Sequence, residues 1–148
     1  MKLSTRGRYG TRLMIELAKC YGNGPISIAR ISQCQDIPIK YLEQLIIPLK
    51  KSGMIKSVRG PKGGHMLSRS PELINLWDIL VLLETKMTFV DCVNDETLCP
   101  NTGDCPVRPV WGKAFASIKK IFQDTSLADI VASGENPTEG YAERTQKK

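Results

Sequence analysis

The apolar residues of the first third of the chain recur at helical spacing. The first pattern consists of residues three or four positions apart: Tyr9, Leu13, Leu17 and Cys20. Gly22 and Gly24 end it, as glycines often end helices. A second short helix is predicted from Ser27, a residue typical of helix N-termini, to about Gln35. The spacing therefore predicts that the chain begins with two successive helices.

A third helix is predicted after the turn Asp36-Ile37-Pro38, with Pro38 at its first position. Its expected core-facing residues are Ile39, Leu42, Leu45, Ile46 and Leu49. Its opposite face carries Lys40, Tyr41, Glu43, Gln44 and Lys51. Two short helices joined by a tight turn are typical of a helix-turn-helix, in which exposed side chains enter a DNA groove. Glutamine suits adenine there, and lysine suits guanine or phosphate.

The hydrophobic period changes to two after Gly53. The segments MIKSV and HMLS alternate, and the basic, glycine-rich RGPKGG separates them. This pattern predicts a β-hairpin with Arg59 and Lys62 at its tip. A hairpin directly after a helix-turn-helix is a wing, and its arginine can enter a narrow minor groove. The fold class expected is mainly α with a small β wing.

The second half contains a short apolar helix between residues 71 and 85 and a longer one that starts at Pro109. The longer helix has a wide apolar stripe: Val110, Trp111, Ala114, Phe115, Ile118, Ile121 and Phe122. A stripe this wide predicts packing against a partner, by default a second copy of the chain. Ser126 is expected to cap a last short helix.

These elements divide the chain into four expected parts. Residues 1–85 form a winged helix-turn-helix domain, and residues 86–108 form a cysteine-rich loop. Residues 109–133 form a long C-terminal dimerisation helix and the short terminal helix, and the polar residues 134–148 form a disordered tail.

The net charge of +6 is unevenly distributed. Residues 1–69 carry 13 lysines and arginines against 3 acids, whereas residues 70–148 carry 8 against 12. A basic half suits a polyanion such as double-stranded DNA, and a solvated basic surface is the alternative. The polar N-terminus does not resemble a signal peptide, and no apolar run reaches the ~18 residues of a membrane span. We expect a cytoplasmic protein without membrane contact.

Three of the five cysteines lie in the segment CVNDETLCPNTGDC: Cys92, Cys99 and Cys105. In a reducing compartment such cysteines favour metal or redox chemistry over disulfides. Thiolates bind both zinc and iron–sulfur clusters, although structural zinc sites usually use closer Cys-x-x-Cys pairs. Free thiols are a further alternative. No cysteine, histidine or carboxylate pattern indicates a nucleophile with a base, so we expect no enzyme.

Four segments, KLSTRGRYG, YLEQL, SVRGPKGG and CPVRPVW, resemble the IscR, NsrR and CymR group of bacterial winged-helix regulators, the Rrf2 family. The resemblance extends from residue 1 to about 131. It implies a homodimer that binds a palindromic operator, with the long C-terminal helix at the dimer interface. It also implies an iron–sulfur cluster, expected to be 2Fe–2S and in some members 4Fe–4S, on Cys92, Cys99 and Cys105.

The same resemblance assigns DNA-binding roles. Tyr41 and Gln44 would reach base edges, Arg59 would enter the minor groove, and Glu43 would tune which operators are tolerated. Lys40 and Lys62 complete the expected DNA-binding set.

The fourth cluster ligand departs from the family pattern. Arg108 stands where one branch has a histidine, and Arg8 stands where another has an acid. A guanidinium cannot ligate iron. Asp91, Asp104, Cys34 of the partner subunit and a small exogenous ligand stay open as alternatives.

The leading hypothesis is a dimeric regulator whose operator binding is modulated by the cluster and which controls iron–sulfur biogenesis genes. The first alternative is a CymR-like repressor of cysteine and sulfur metabolism, controlled by a partner such as cysteine synthase. The first helix, MIELAKCYGNGP, most resembles CymR, although that branch lacks the three cysteines. The second alternative is a repressor that senses nitric oxide or redox state.

Overall fold

The computed structural model describes residues 3–88, 90–93 and 95–134. Its helices are α1 (Thr5–Lys19), α2 (Ile28–Gln35), α3 (Ile39–Lys51), α4 (Leu76–Leu83), α5 (Arg108–Asp124) and α6 (Leu127–Ser133). The strands are β1 (Ile55–Val58) and β2 (Gly64–Leu67), and short 3-10 turns span Pro71–Leu73, Asp91–Val93 and Glu96–Leu98. Apart from Gly134, the tail expected to be disordered lies outside the described residues, as does Asn94 of the cysteine segment.

Helix α1 begins at Thr5, which is four residues before Tyr9, where the predicted apolar pattern begins. Ser4 caps it by accepting a hydrogen bond from the Gly7 amide at 3.1 Å. The Ser4 amide and hydroxyl both donate to Oε1 of Glu84, which follows α4, at 2.9 and 3.0 Å. Gly10 lets α4 approach, since a Cβ at this position would collide with the Leu83 side chain. Ser4 and Gly10 therefore take part in the packing of α1 against α4 and the residue that follows it.

The helix-turn-helix prediction is confirmed by the geometry of α2 and α3. Ser27 caps α2, and Asp36 ends it in the left-handed conformation at φ 50°. Pro38 is the N-cap of α3 instead of its first residue, and its carbonyl accepts from the Leu42 amide at 3.1 Å. The assignment of Ile39 to the core-facing side was wrong, because Ile39 is 41% exposed. Ile37 of the turn is buried in its place.

The predicted wing is also confirmed. Strands β1 and β2 pair antiparallel, with Ile55 opposite Leu67 and Val58 opposite Gly64. Ile26, before α2, forms a further bridge with His65, with both N–H to O distances at 2.9 Å. The wing is therefore attached to the helix-turn-helix by backbone bonds. The fold is mainly α with one small β wing, as the sequence predicted.

The core is shared between the two ends of the chain. Leu13, Leu17 and Leu42 pack with Ile79, and Leu127 of α6 is fully buried among them. The Leu127 amide donates to the Ile74 carbonyl at 2.8 Å, and the Leu76 amide donates to the Thr125 carbonyl at 2.9 Å. Helix α6 therefore returns the chain to the amino-terminal helices. Within the described part of the chain, no helix has the length and apolar character needed to cross a membrane.

Helix α5 differs from the other helices in its burial. None of its residues is buried within the single chain, although it contacts α4 through Phe115 and Trp77, whose ring centroids are 6.0 Å apart. Val110 and Ile121 are 56% and 61% exposed. An amphipathic helix of 17 residues with this exposure has an apolar side that the single chain leaves in water.

Candidate nucleic-acid interface and cysteine loop

The outer face of α3 carries the polar residues that were predicted to contact DNA. Lys40, Glu43 and Gln44 are exposed on it, whereas Leu42, Leu45 and Leu49 face the core. An ammonium group, a carboxylate and an amide are therefore presented together on one helix. This combination can pair with acceptor and donor groups at base edges in a major groove.

Tyr41 lies at the boundary between this outer face and the core. It is half-buried, and its ring meets that of Tyr9 edge to face at a centroid distance of 5.7 Å. The Arg12 guanidinium lies 5.4 Å from the centre of the Tyr9 ring. The aromatic pair joins α1 to α3, so Tyr41 has a packing role in addition to the predicted contact with a base edge.

A buried polar network fixes the turn that precedes α3. Arg12 donates from Nε to Oε1 of Gln35 at 2.8 Å, and its guanidinium also donates to the Gln35 carbonyl. Gln35 Nε2 donates to Oε1 of Glu16 at 2.6 Å, and Lys19 pairs with the same oxygen at 2.8 Å. Glu16 and Gln35 are buried. Each polar group in the network has a partner, which keeps its burial from being costly.

The helical spacing of the apolar residues in α1 does not indicate this network. Arg12 is turned toward Gln35, whereas Arg6 and Arg8 of the same helix are exposed. The sequence feature that could have indicated the network is Glu16, an acidic residue that lies beside Leu13 and Leu17 on the apolar side of α1. A charged residue at such a position needs a buried partner.

The wing tip presents two cations in a turn between β1 and β2. Arg59 and Lys62 are both exposed, and Gly60 between them adopts φ 117°. A residue with a side chain rarely adopts that conformation. The structure therefore places the predicted pair together in an exposed turn of the hairpin, where cations can reach phosphates or a minor groove.

His65, the only histidine, lies at the base of the wing. Its Nδ1 is 3.1 Å from the hydroxyl oxygen of Ser57 on the paired strand. Burial, and then the positive charge of Lys50, lower the pKa of His65 below its ordinary value. The imidazole is therefore bonded within the wing and lies close enough to α3 for the charge of Lys50 to act on it.

The three cysteines of the loop are each half-buried, and hydrogen bonds hold the backbone at each of them. Cys92 lies in the Asp91–Val93 turn, Cys99 follows the Glu96–Leu98 turn, and Cys105 precedes α5. Arg108 donates from Nε to the Cys92 carbonyl at 3.0 Å and from its amide to the Cys105 carbonyl at 3.4 Å. The Thr102 amide donates to the Cys99 carbonyl at 3.2 Å. The loop backbone is thereby tied to the start of α5.

The donor chemistry of this loop fits an iron–sulfur cluster, because three thiolates are the ligands that such clusters use. Among the residues described, no group of three or more histidine, cysteine or acidic side chains lies close enough to hold a metal ion. Asp91 accepts hydrogen bonds from Lys86 and Thr88, both at 3.4 Å, and Cys34 is exposed on α2. The identity of the ligands therefore stays a prediction.

Comparison with known proteins identifies relatives over nearly the whole chain. The family model Rrf2, described as an iron-dependent transcriptional regulator, matches residues 3–133. The HTH-type transcriptional regulator CymR of Bacillus subtilis is 37% identical over 141 residues, which cover 95% of this chain and 97% of CymR.

Two solved structures support the same relationship. The structure of B. subtilis CymR, described as the global cysteine regulator, is similar with a TM-score of 0.78 and 36% identity, covering 90% of this chain and 98% of CymR. The structure of T. potens IscR is similar with a TM-score of 0.75 and 36% identity, covering 91% and 89%. These relatives are transcriptional regulators, which confirms the expectation that the chain is not an enzyme.

Proposed function

The chain belongs to the Rrf2 family of transcriptional regulators, and we propose that it is a homodimer whose operator binding is modulated by an iron–sulfur cluster. Cys92, Cys99 and Cys105 would hold the cluster, expected to be 2Fe–2S. The regulated genes would be those of iron–sulfur biogenesis. The observation that carries the proposal is the half-buried three-cysteine loop, whose backbone is bonded to the first residue of α5.

The DNA-binding surface would consist of the outer face of α3 and the wing tip. Lys40, Tyr41, Glu43 and Gln44 would contact base edges in the major groove, with Glu43 accepting from a cytosine amine. Arg59 would enter the minor groove, and Lys62 would contact phosphate. The excess of cations in residues 1–69 supports this assignment, because phosphate contacts supply most non-specific affinity.

A second copy of the chain would cover the exposed side of α5. Val110 and Ile121 lie eleven positions apart, at three helical turns, so their side chains are on one stripe. Complete burial of a fully exposed side chain of this type contributes about 1.5–3 kcal/mol, and covering the exposed part of Val110 and Ile121 would contribute roughly half of that each. A symmetric pair of α5 helices would place two winged domains in one molecule, as a palindromic operator requires.

The three thiolates would hold the cluster, and a bound cluster would supply a group sensitive to iron supply, oxidation and nitric oxide. The role of Arg108 follows from the described contacts. It is the first residue of α5, and its side chain is bonded to the loop at Cys92. A change in the loop backbone would therefore shift the start of the proposed dimer helix, and with it the spacing of the two wings.

Iron and sulfide analysis tests the proposed cofactor. Protein purified without oxygen should be coloured and should contain about two iron atoms and two acid-labile sulfides per chain, as a 2Fe–2S cluster requires. Colourless protein that contains zinc and no sulfide after anaerobic reconstitution would contradict the cluster assignment.

A second candidate function is supported by the similarity to CymR over 97% of that protein. In this case the chain would repress genes of cysteine and sulfur metabolism under the control of cysteine synthase. Purified cysteine synthase should then bind the full chain stably and change its operator affinity. Binding of this enzyme by iron-free protein would favour the second candidate, and absence of binding to the protein in both states would exclude it.

A further inference from the structure

Two isoleucines stand exposed on the outer face of α3. Ile39 is 41% exposed and Ile47 is 55% exposed, although the same helix buries Leu42, Leu45 and Leu49 almost completely. They are eight positions apart, slightly more than two helical turns, so they flank Glu43 on one side of the helix. Neither isoleucine contributes its full apolar area to the core, which leaves both available to a ligand.

The charges around this face indicate what covers it. Lys40 and Lys51 are exposed on α3, and Arg59 and Lys62 are exposed at the wing tip. A helix that carries exposed cations beside its exposed isoleucines, and is followed by a cationic wing tip, complements a polyanion better than an uncharged apolar partner surface. In the major groove of double-stranded DNA, the apolar group available to an isoleucine is the 5-methyl group of thymine.

We propose that Ile39 and Ile47 contact thymine methyl groups in each operator half-site and act as specificity determinants there. This inference rests on the proposed DNA binding. Eight residues span about 12 Å along a helix, and base pairs rise about 3.4 Å each, so the two thymines are several base pairs apart. The polar side chain of Glu43 lies between them, so the helix reads methyl groups at its two ends and a hydrogen-bonding edge in the middle.

Replacement of thymine by uracil tests this directly, because it removes the methyl group and leaves the hydrogen-bonding edge unchanged. The probe is a duplex selected from a random library by the full-length protein, with each thymine replaced in turn. Wild-type protein should lose about fourfold in affinity at each contacted position, as expected for about 0.8 kcal/mol per buried methyl group. Insensitivity to uracil at every position would overturn the proposal.

Single substitutions then assign the positions. Ile39→Ala should become insensitive to uracil at one position of each half-site, and Ile47→Ala should become insensitive at another. Ile47→Val should keep the sensitivity, because it retains a branched apolar side chain. Leu73→Ala is the matched control, because Leu73 is 67% exposed in the Pro71–Leu73 turn. This variant should retain the sensitivity to uracil at both positions.

The outcomes separate this inference from the proposed function. If the selected duplex binds with steep salt dependence but both alanine variants keep the full wild-type uracil pattern, the isoleucine assignment fails and DNA binding stands. If library selection enriches no duplex and the protein binds no DNA, both fail. If a protein partner instead of DNA protects Ile39 and Ile47 from solvent, the assignment to thymine is also wrong.

Discussion

Arg108 donates a hydrogen bond from Nε to the carbonyl oxygen of Cys92, 16 positions earlier in the chain, at 3.0 Å. Its own amide bonds to the Cys105 carbonyl at 3.4 Å, so one residue holds the first and last cysteine segments of the loop. Because Arg108 also begins α5, the loop and the helix are mechanically connected. The guanidinium cannot ligate iron, but it can position the backbone of residues that would.

Arg108→Ala should therefore loosen the loop. The Cys92 carbonyl would lose its side-chain donor, and backbone amides between residues 91 and 105 should exchange hydrogen faster in metal-free protein. Arg108→Lys should show an intermediate effect, because lysine keeps the charge and lacks the planar fork. Lys113→Ala, at an exposed residue of the same helix, is the control. Equal exchange in Arg108→Ala and wild type would contradict the positioning role.

The two wing cations should make separable contributions to operator binding. Arg59→Ala should weaken binding by at least roughly tenfold, since a charged hydrogen bond contributes about 1.5–3 kcal/mol. Lys62→Ala should reduce the slope of log affinity against log salt by about one, as expected for loss of one phosphate contact. Fluorescence anisotropy at several salt concentrations measures both. Lys120→Ala, in α5, should leave affinity and slope unchanged, and equal losses in all three variants would argue against the wing assignment.

The buried network at the turn should be important for stability. Gln35→Ala would remove one hydrogen bond from Arg12 and one from Glu16, and a hydrogen bond to a charged group contributes about 1.5–3 kcal/mol. Urea unfolding should show this loss as a lower midpoint with little change in slope. Gln33→Ala, at an exposed position of α2, should change stability by less than about 0.5 kcal/mol. If the two variants unfold at the same midpoint, the network contributes nothing measurable.

The lowered pKa of His65 predicts a specific pH dependence. Burial lowers it below the ordinary value of 6.5, so the unfolded chain binds a proton more readily than the folded one. The stability that neutral His65 allows is fully present above the pKa that this residue has in the unfolded chain. It is lost as the pH falls through the lower pKa that the residue has in the folded protein. Between pH 7.5 and about 5 the wild type should therefore lose stability, and His65→Gln should lose less. Parallel pH profiles of the unfolding midpoint would show that another group is responsible.

The sequence predicted those features that depend on neighbouring residues. The helical spacing of Leu42, Leu45 and Leu49 and the alternation around the wing each act over a few positions, so the fold could be inferred. Ile39 was misassigned because periodicity does not say where the first turn of a helix faces once Pro38 caps it.

Local sequence patterns do not predict contacts between residues that are far apart in the chain. The bond from Arg12 to Gln35 joins positions 23 apart, and the bond from Arg108 to Cys92 joins positions 16 apart. No residue near Arg12 or near Arg108 in the sequence indicates which distant residue each of them bonds to. The sequence could therefore indicate the presence of the cysteine loop, whereas the hydrogen bonds that hold it could be found only in three dimensions.

Operator affinity measured as a function of cluster content tests the central proposal most directly. One anaerobic preparation is compared before and after iron removal, together with Cys92→Ser and the control Cys20→Ser, whose cysteine lies at the end of α1. Wild type and Cys20→Ser should change operator affinity by about fivefold or more when iron is removed, a typical size for coupling between two sites. Cys92→Ser should have one affinity under both conditions. Identical operator affinity of wild type with and without iron would contradict the account.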